Sequence, residues 1–451
     1  MSDQNQPFVS SGPRAAWRVR HPRLFTALAC LVTGLIVFLV TFFSIVGHYR
    51  NEIEDYRAHY VKSSDKYDAG LLEAAIGLLD ANALYDLPDR RELTETMIEA
   101  AIAAMGDRYG TFFTDAEYAE YSTGLAGNFV GIGVTVQQTD GGNARIVLVH
   151  AGSPAEESGL LAGDVITSVG DLRFIDGYDE AFAALAGEAG TTVVLTVLRG
   201  AGTITLNVTR ADVVKQTVIR RIDNYGGSKI GYVYISGFDG HTYEQFRDAV
   251  SYLETEGVDA LLFDVRSNGG GLLSEVAKVL AYLLPDGVIA YVDYRSDALS
   301  DYVISSQDGY VRMGAALPEL YCEGGHRITV PVAVLVNGKT ASAAELFTSA
   351  LRDYATAAFD NALDVTVVGT TTYGKGTVQT TYPMSGGTAL KMTIAHYDPP
   401  SRVNYDGEGI APDEVVELTA EEEKISVYLR TKENDPQLLA ALARLDQTVD
   451  P

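Results

Sequence analysis

The spacing of apolar positions changes along the chain, and each change predicts a different kind of element. Residues 24–46 form a run of 23 residues without a charge. As a helix this run would be about 34 Å long, enough to cross a hydrocarbon layer of about 30 Å. So uniform a segment has no polar face to turn to water, which argues against a core helix. A cleaved signal peptide would carry a shorter apolar stretch and a small-residue cleavage site, and no such site follows Val46. The pattern therefore predicts a retained membrane anchor, followed by a polar stalk over 48–66. Apolar residues then recur at helical spacing over 65–85 (Leu71, Leu72, Ala75, Leu78, Leu79) and 89–105 (Leu93, Met97, Ile98, Ile102), predicting two amphipathic helices. GDRYGTFF at 106–113 ends the second, with Gly106 at its C-cap.

Over 125–212 the period shortens to two. Strands are predicted at 133–137, 144–150, 165–169 and 192–198, with a helix near 178–186, giving a small β-rich unit. From 213 onward apolar strands alternate with helices: strands at 230–236, 260–265, 288–294, 330–336 and 365–368, helices at 242–256, 273–283 and 342–353. This alternation predicts a layered α/β domain whose sheet is largely covered by helices. Residues 296–327 interrupt it without clear periodicity and read as a surface insertion. The charged tail after Pro412 ends in a helix near 436–445.

Charge sharpens this division. The net charge is −26, yet residues 1–50 carry Arg14, Arg18, Arg20, Arg23 and Arg50 against Asp3 alone. Arginines before the apolar run predict a cytoplasmic N-terminus and an extracytoplasmic body. So acidic a body repels phosphate backbones, which excludes nucleic acid as a partner. Of the two cysteines Cys30 falls in the apolar run, leaving Cys322 without an intrachain partner and the fold without a disulfide framework.

Several stretches could carry chemistry. In VAVLVNGKTASAAELF (332–347) a buried strand turns into a helix at Ser342. That hydroxyl would sit at the positive end of a helix, where an oxyanion is favoured and backbone N–H groups are free. Ser342 with Glu345 also reads as a capping box, and the two roles are compatible. In TTYGKGTVQT (371–380) Lys375 lies between two glycines, and Gln379, four residues on, would share its strand face and could hold its amine. A lysine acts as a base near neutrality only when desolvated or crowded by positive charge, so an ordinary solvent-facing hairpin lysine remains an alternative. The segment 369–376 approaches a phosphate loop but has Gly376 where a magnesium-binding hydroxyl is required, which excludes it. No G-x-S-x-G or H-E-x-x-H occurs, and the seven histidines are scattered. In DVRSNGGGLLSEVAKVL (264–280) a strand runs into three glycines that could turn N–H groups toward an anion or form only a tight turn. VGIGVTV at 130–136 could receive a peptide carboxylate on a glycine-flanked loop.

Together these stretches resemble the C-terminal processing peptidases over about residues 65–415. GDRYGTFFT is similar to the family's segment before its PDZ domain. VGIGV with SPAEESGLLAGDVITSVG is similar to its permuted PDZ domain. IGYVYISGF, DALLFDVRSNGGGLL, TASAAELF and YGKGTVQT then follow in the family's order. Pattern and resemblance together predict a multidomain α/β and α+β chain: basic tail 1–23, transmembrane anchor 24–46, stalk and helical region 47–124, and helical tail 416–451 from the pattern, with the PDZ-like domain 125–212 and a layered peptidase core of the crotonase/ClpP type at 213–415 implied by the resemblance. The resemblance implies Ser342 as nucleophile, Lys375 as base and Gln379 as its orienting partner. The oxyanion hole would lie between Ala343 and Gly269 or Gly270, with Asp353 supportive. Val130, Gly131, Ile132 and Gly133 would bind a substrate's terminal carboxylate. No metal or cofactor is implied. The expected partners are polypeptides with apolar C-termini and the membrane, and a homo-oligomer is left open. A catalytically silent module that captures C-termini is the competing reading; an acyl-CoA enzyme of the same architecture is disfavoured by the extracytoplasmic site. The chain departs from the family in the 33-residue spacing from Ser342 to Lys375 and in the 296–327 insertion.

Overall fold

The computed structural model describes residues 68–294, 302–307, 310–313, 320–321 and 327–449. The anchor at 24–46, the stalk and both cysteines lie outside them. The chain divides into two units, 1–93 and 94–451. In the first, α1 (Ala69–Asn82) is capped by Asp68, whose carboxylate accepts the Leu71 N–H at 2.9 Å, and buries none of its side chains. Helix α2 (Arg90–Met105) begins there and continues into the second unit.

After α2 the chain forms β1 (Thr111–Phe113), α3 (Asp115–Leu125) and β2 (Asn128–Gly131). Thr114 and Glu117 cap α3 reciprocally, as a capping box requires. A five-stranded antiparallel run follows: β3 (Val134–Gln138), β4 (Ala144–Val149), β5 (Val165–Val169), β7 (Thr192–Arg199) and β8 (Gly202–Thr209), with β6 (Leu172–Arg173) beside β5. Helices α4 (Pro154–Glu157) and α5 (Tyr178–Ala183) accompany this sheet, whose own core contains Ile146, Leu160, Ile166 and Leu195. Strand β9 (Ala211–Val214) then pairs back onto β2. The four expected strands are present; β2, β6, β8 and β9 are additional.

The larger domain contains two sheets. The first orders as β10 (Val218–Tyr225), β11 (Ser228–Ile235), β12 (Ala260–Asp264), β17 (Val332–Val336), β18 (Val365–Gly369) and β21 (Glu414–Val415), parallel except for β10. Strands β12 and β17 are buried at every position, the signature of a sheet covered on both faces. Leu261, Phe263 and Val334 share a core with α6 (Thr242–Thr255), α7 (Leu273–Leu283) and α8 (Ala343–Tyr354). The alternate positions Ala260, Leu262 and Leu335 pack with Leu438, Ala441, Leu442 and Leu445 of α10 (Pro436–Val449). The short helix α9 (Ala420–Glu423) precedes α10.

The second sheet orders as β1, β20 (Ala389–Asp398), β13 (Gly287–Tyr294), β14 (Tyr302–Gln307), β15 (Tyr310–Met313) and β16 (Leu320–Tyr321), with β19 (Thr377–Pro383) also on β20. Three of its strands come from the segment expected to be a surface insertion. Ile304 from that segment is fully buried in the main core, so the segment extends the sheet. Its short, irregularly separated strands conceal any period from the sequence.

One buried ionic cluster ties the tail to the first sheet. The Arg266 side chain, 1% exposed, contacts Asp264 at 2.6 Å and Asp435 at 2.7 Å and donates to Gln437 at 3.0 Å. Removing one partner of such a cluster leaves buried charge uncompensated. Asp435→Ala is therefore expected to destabilise the protein by about 3–5 kcal/mol in denaturant unfolding; an unchanged midpoint would contradict this account.

Candidate active site

Ser342 stands between β17 and α8 with φ 57° and ψ −121°, a left-handed backbone conformation that costs a non-glycine residue about 1–3 kcal/mol. Gly270 backs directly onto it: a Cβ there would come within 2.8 Å of Ser342 Cβ and 3.0 Å of the Ala343 nitrogen. The glycine turn after β12 and the turn before α8 thus touch as only a residue without a side chain permits.

A second device joins the elbow to the lysine segment. Glu345, fully buried, accepts the Ser342 N–H at 2.8 Å. The same carboxylate accepts the N–H groups of Lys375 at 2.8 Å and Gly374 at 2.6 Å and the Thr372 hydroxyl at 2.5 Å. Glu345 therefore reaches well beyond a cap.

Ser342, Ala343, Gly269, Lys375 and Gln379 line one cavity of about 590 Å³. Tyr118, Tyr121 and Leu125 of α3, Leu272 and Leu273 of the glycine turn, and Lys391 and Tyr397 of β20 complete much of its wall. No histidine is among the lining residues. The Ala343 N–H has no acceptor among the described residues, nor does that of Gly269. Gly270 differs, because its N–H donates to Asn268 Oδ1 at 2.8 Å; of the two expected glycines only Gly269 offers a donor. Gly271, the third glycine of this turn, also lines the cavity, and a Cβ on it would lie 2.3 Å from the Phe238 carbonyl oxygen.

Lys375 is half-buried, and desolvation, followed by repulsion from Lys391 and Arg108, holds its amine below the ordinary lysine range. The amine makes no hydrogen bond among the described residues; it lies 4.3 Å from the centroid of the Tyr109 ring. The Tyr397 hydroxyl donates to the Lys375 carbonyl at 3.1 Å, and the Ser342 hydroxyl lies beside it.

Gln379 does not hold the lysine amine as expected. Its Nε2 donates to Thr377 Oγ1 at 3.0 Å and to Thr393 Oγ1 at 3.2 Å. Lys375 precedes β19, and the register shifts between Val378 and Gln379, so period-two extrapolation from 375 to 379 fails. Asp353 lies at the far end of α8, about 15 Å along the axis from Ser342. Burial raises its pKa, and its carboxylate accepts the Ser401 N–H at 2.9 Å, which supports a loop outside the cavity.

Val130 to Gly133 lie outside the cavity as well. Val130 and Gly131 belong to β2 and pair with Asp212 and Ala211. Gly131 also bridges Ala186 on its other side, which turns the Ile132 N–H toward that segment, whereas the Gly133 N–H has no acceptor among the described residues, and β3, which follows, is a sheet edge. Gly133 has φ +86°, and a Cβ on it would lie 2.2 Å from Ser153 Cβ. A free donor at Gly133 beside an open edge suits an extended chain end.

A strained serine, a desolvated lysine and free backbone donors around one cavity define a serine-type hydrolase site without histidine. Comparison with known proteins gives the same class. Peptidase family S41 matches residues 229–416, and a PDZ domain matches 130–209. The carboxyl-terminal-processing protease of Synechocystis is 31% identical over 359 residues, covering 78% of this chain and 77% of its own length. The chloroplastic carboxyl-terminal-processing peptidase 2 of Arabidopsis thaliana is 30% identical over 72% of this chain, which spans 60% of that relative's length. A solved structure described as an S41 protease from Bacteroides fragilis aligns over 81% of this chain and 93% of its own with a TM-score of 0.55 and 19% identity, a likeness of fold. The chain belongs to the carboxyl-terminal-processing peptidases of family S41, which are serine-type peptidases.

Glu345→Gln replaces an acceptor of four hydrogen bonds by a group that must point an NH2 at some of those donors. The variant is expected to unfold with a loss of about 3 kcal/mol. A thermal midpoint equal to the wild type would show that the carboxylate is dispensable.

Proposed function

We propose that this chain is a membrane-anchored, extracytoplasmic serine endopeptidase that recognises polypeptides by apolar C-termini and cleaves them through a Ser342–Lys375 dyad. The observation that carries the reading is that Ser342 and Lys375 line one cavity together with the unpaired N–H groups of Ala343 and Gly269. Neutral Lys375 takes the Ser342 proton as Oγ attacks the peptide carbonyl. The two N–H groups receive the oxyanion, and the amine returns the proton to the leaving nitrogen. Water then attacks the acyl-enzyme, with Lys375 again as base. The strained backbone at Ser342 sets its side chain at the cavity wall, and Leu125, Leu272 and Leu273 suit an apolar substrate side chain.

The free N–H of Gly133 beside the edge strand β3 supports capture of a terminal carboxylate. The uncharged run at 24–46, preceded by arginines, supports the anchor and its orientation.

Ser342→Ala and Lys375→Ala are each expected to lower cleavage of an apolar-ended substrate by at least on the order of a thousandfold. Binding of the C-terminal peptide should persist in both. Proteolysis at the wild-type rate in either variant refutes that residue's role. Because the base must be neutral, kcat/KM should fall as pH drops through the Lys375 pKa, with the limb below the value of about 10.4 for free lysine. Full-length protein should sediment with membranes and the chain from residue 47 onward should not; equal fractionation would dismiss the anchor.

A further inference from the structure

The turn at 106–110 lies more than 200 residues before the nucleophile, yet it reaches the base. Asp107 accepts the Thr393 N–H at 2.7 Å and the Thr393 hydroxyl at 2.9 Å, and Thr393 Oγ1 in turn accepts from Gln379. The same carboxylate accepts the Tyr109 N–H at 3.0 Å, closing the turn on itself. Immediately afterwards β1 pairs with β20, setting Thr111 opposite Lys391. The turn is thus fastened to β20 at two points, and between them the Tyr109 ring lies 4.3 Å from the Lys375 amine.

We propose that Tyr109 is a positioning residue for the general base, its ring fixing the Lys375 amine and excluding water from one side of it, with Asp107 anchoring the turn that carries it. The inference rests on the Ser342–Lys375 reading above.

Two effects of the ring oppose each other. Cation–π attraction favours the charged amine by about 1.5 pKa units for a desolvated pair. Exclusion of water disfavours it, by about 3–5 units when burial is complete. Desolvation is also the leading cause of the depressed Lys375 pKa. The shielding effect therefore prevails, and removing the ring raises the pKa. The charged and titratable groups that face the amine are Lys391 on β20, Arg108 and Asp107 on the turn and Glu345 on α8. Tyr397 touches the Lys375 carbonyl, and Tyr373 and Asp406 face Tyr109. All of these remain when Tyr109 is replaced. Among the described residues the buried Tyr109 hydroxyl makes no hydrogen bond, although Tyr373 lies near it, so the ring and not the hydroxyl is the active part.

The test compares Tyr109→Phe and Tyr109→Ala by two readouts. The first is competitive acetylation of Lys375 across pH, followed by peptide mass spectrometry in the Ser342→Ala background, which does not depend on catalysis. The second is the acidic limb of kcat/KM with Ser342 intact. Tyr109→Ala should move both midpoints upward by about one pH unit, and Tyr109→Phe should leave both at the wild-type position. Should Tyr109→Ala not fold, Tyr109→Gln, which keeps much of the volume but puts a hydrated amide beside the amine, carries the same expectation. Midpoints that stay in place or move downward without the ring overturn the proposal, as does a Phe variant that behaves like Ala. If Lys375→Ala cleaves at the wild-type rate, the dyad reading is what has failed, while the acetylation midpoint still reports on Tyr109.

Discussion

The buried carboxylate of Glu345 is the constraint on which the site depends. It gathers an N–H from the Ser342 turn, two from the lysine segment and one hydroxyl. Each donor belongs to a turn that leaves a strand or precedes one, where backbone groups have no ladder partner and the chain would otherwise be free to move. A charged acceptor makes hydrogen bonds roughly twice as strong as a neutral one, and burial removes the competition from water. The Ser342 turn and the Lys375 loop are therefore held to each other through one side chain rather than each to the solvent. The strain at Ser342 persists because this anchorage and the close approach of Gly270 determine its backbone together.

Around this clamp the two sheets supply different things. The mostly parallel sheet brings the ends of β12 and β17 side by side, which delivers the glycine turn and the elbow to one edge. The antiparallel sheet, through β19 and β20, supplies the wall that carries Gln379, Lys391 and Tyr397. Under the proposed dyad the first supplies a rigid edge for the serine and the second a semi-enclosed wall that limits water at the lysine amine. The lysine's neighbours include two further cations, Lys391 and Arg108, and both favour its neutral form.

Much of the fold was legible because its strands and helices bury whole faces. The runs at 260–264 and 332–336 are apolar at nearly every position, which only a sheet covered on both sides accommodates. Where the pattern depends on pairing, it misled. The segment 296–327 has no period of its own, yet its strands extend a sheet whose register β13 supplies. Gln379 was assigned to the amine by counting in twos across an irregularity that only the partner strand creates. The same limit hid Tyr109 and Asp107, which sit in a turn the sequence marks merely as the end of a helix.

What the sequence determined by itself is local and chemical: the amphipathic periods, the glycines that permit close approach, and the serine and lysine set in turns at strand and helix ends. Their resemblance to one family in one order extended that reading to a division of roles. What only the tertiary structure decided is which backbone donors remain unpaired, which glycine turns its N–H away, and which aromatic ring meets the amine. These depend on contacts between residues tens to hundreds of positions apart, whose distances no local period encodes. Hydrogen-bond capacity is written in residue types, but its allocation among competing partners is settled only when the chain has packed.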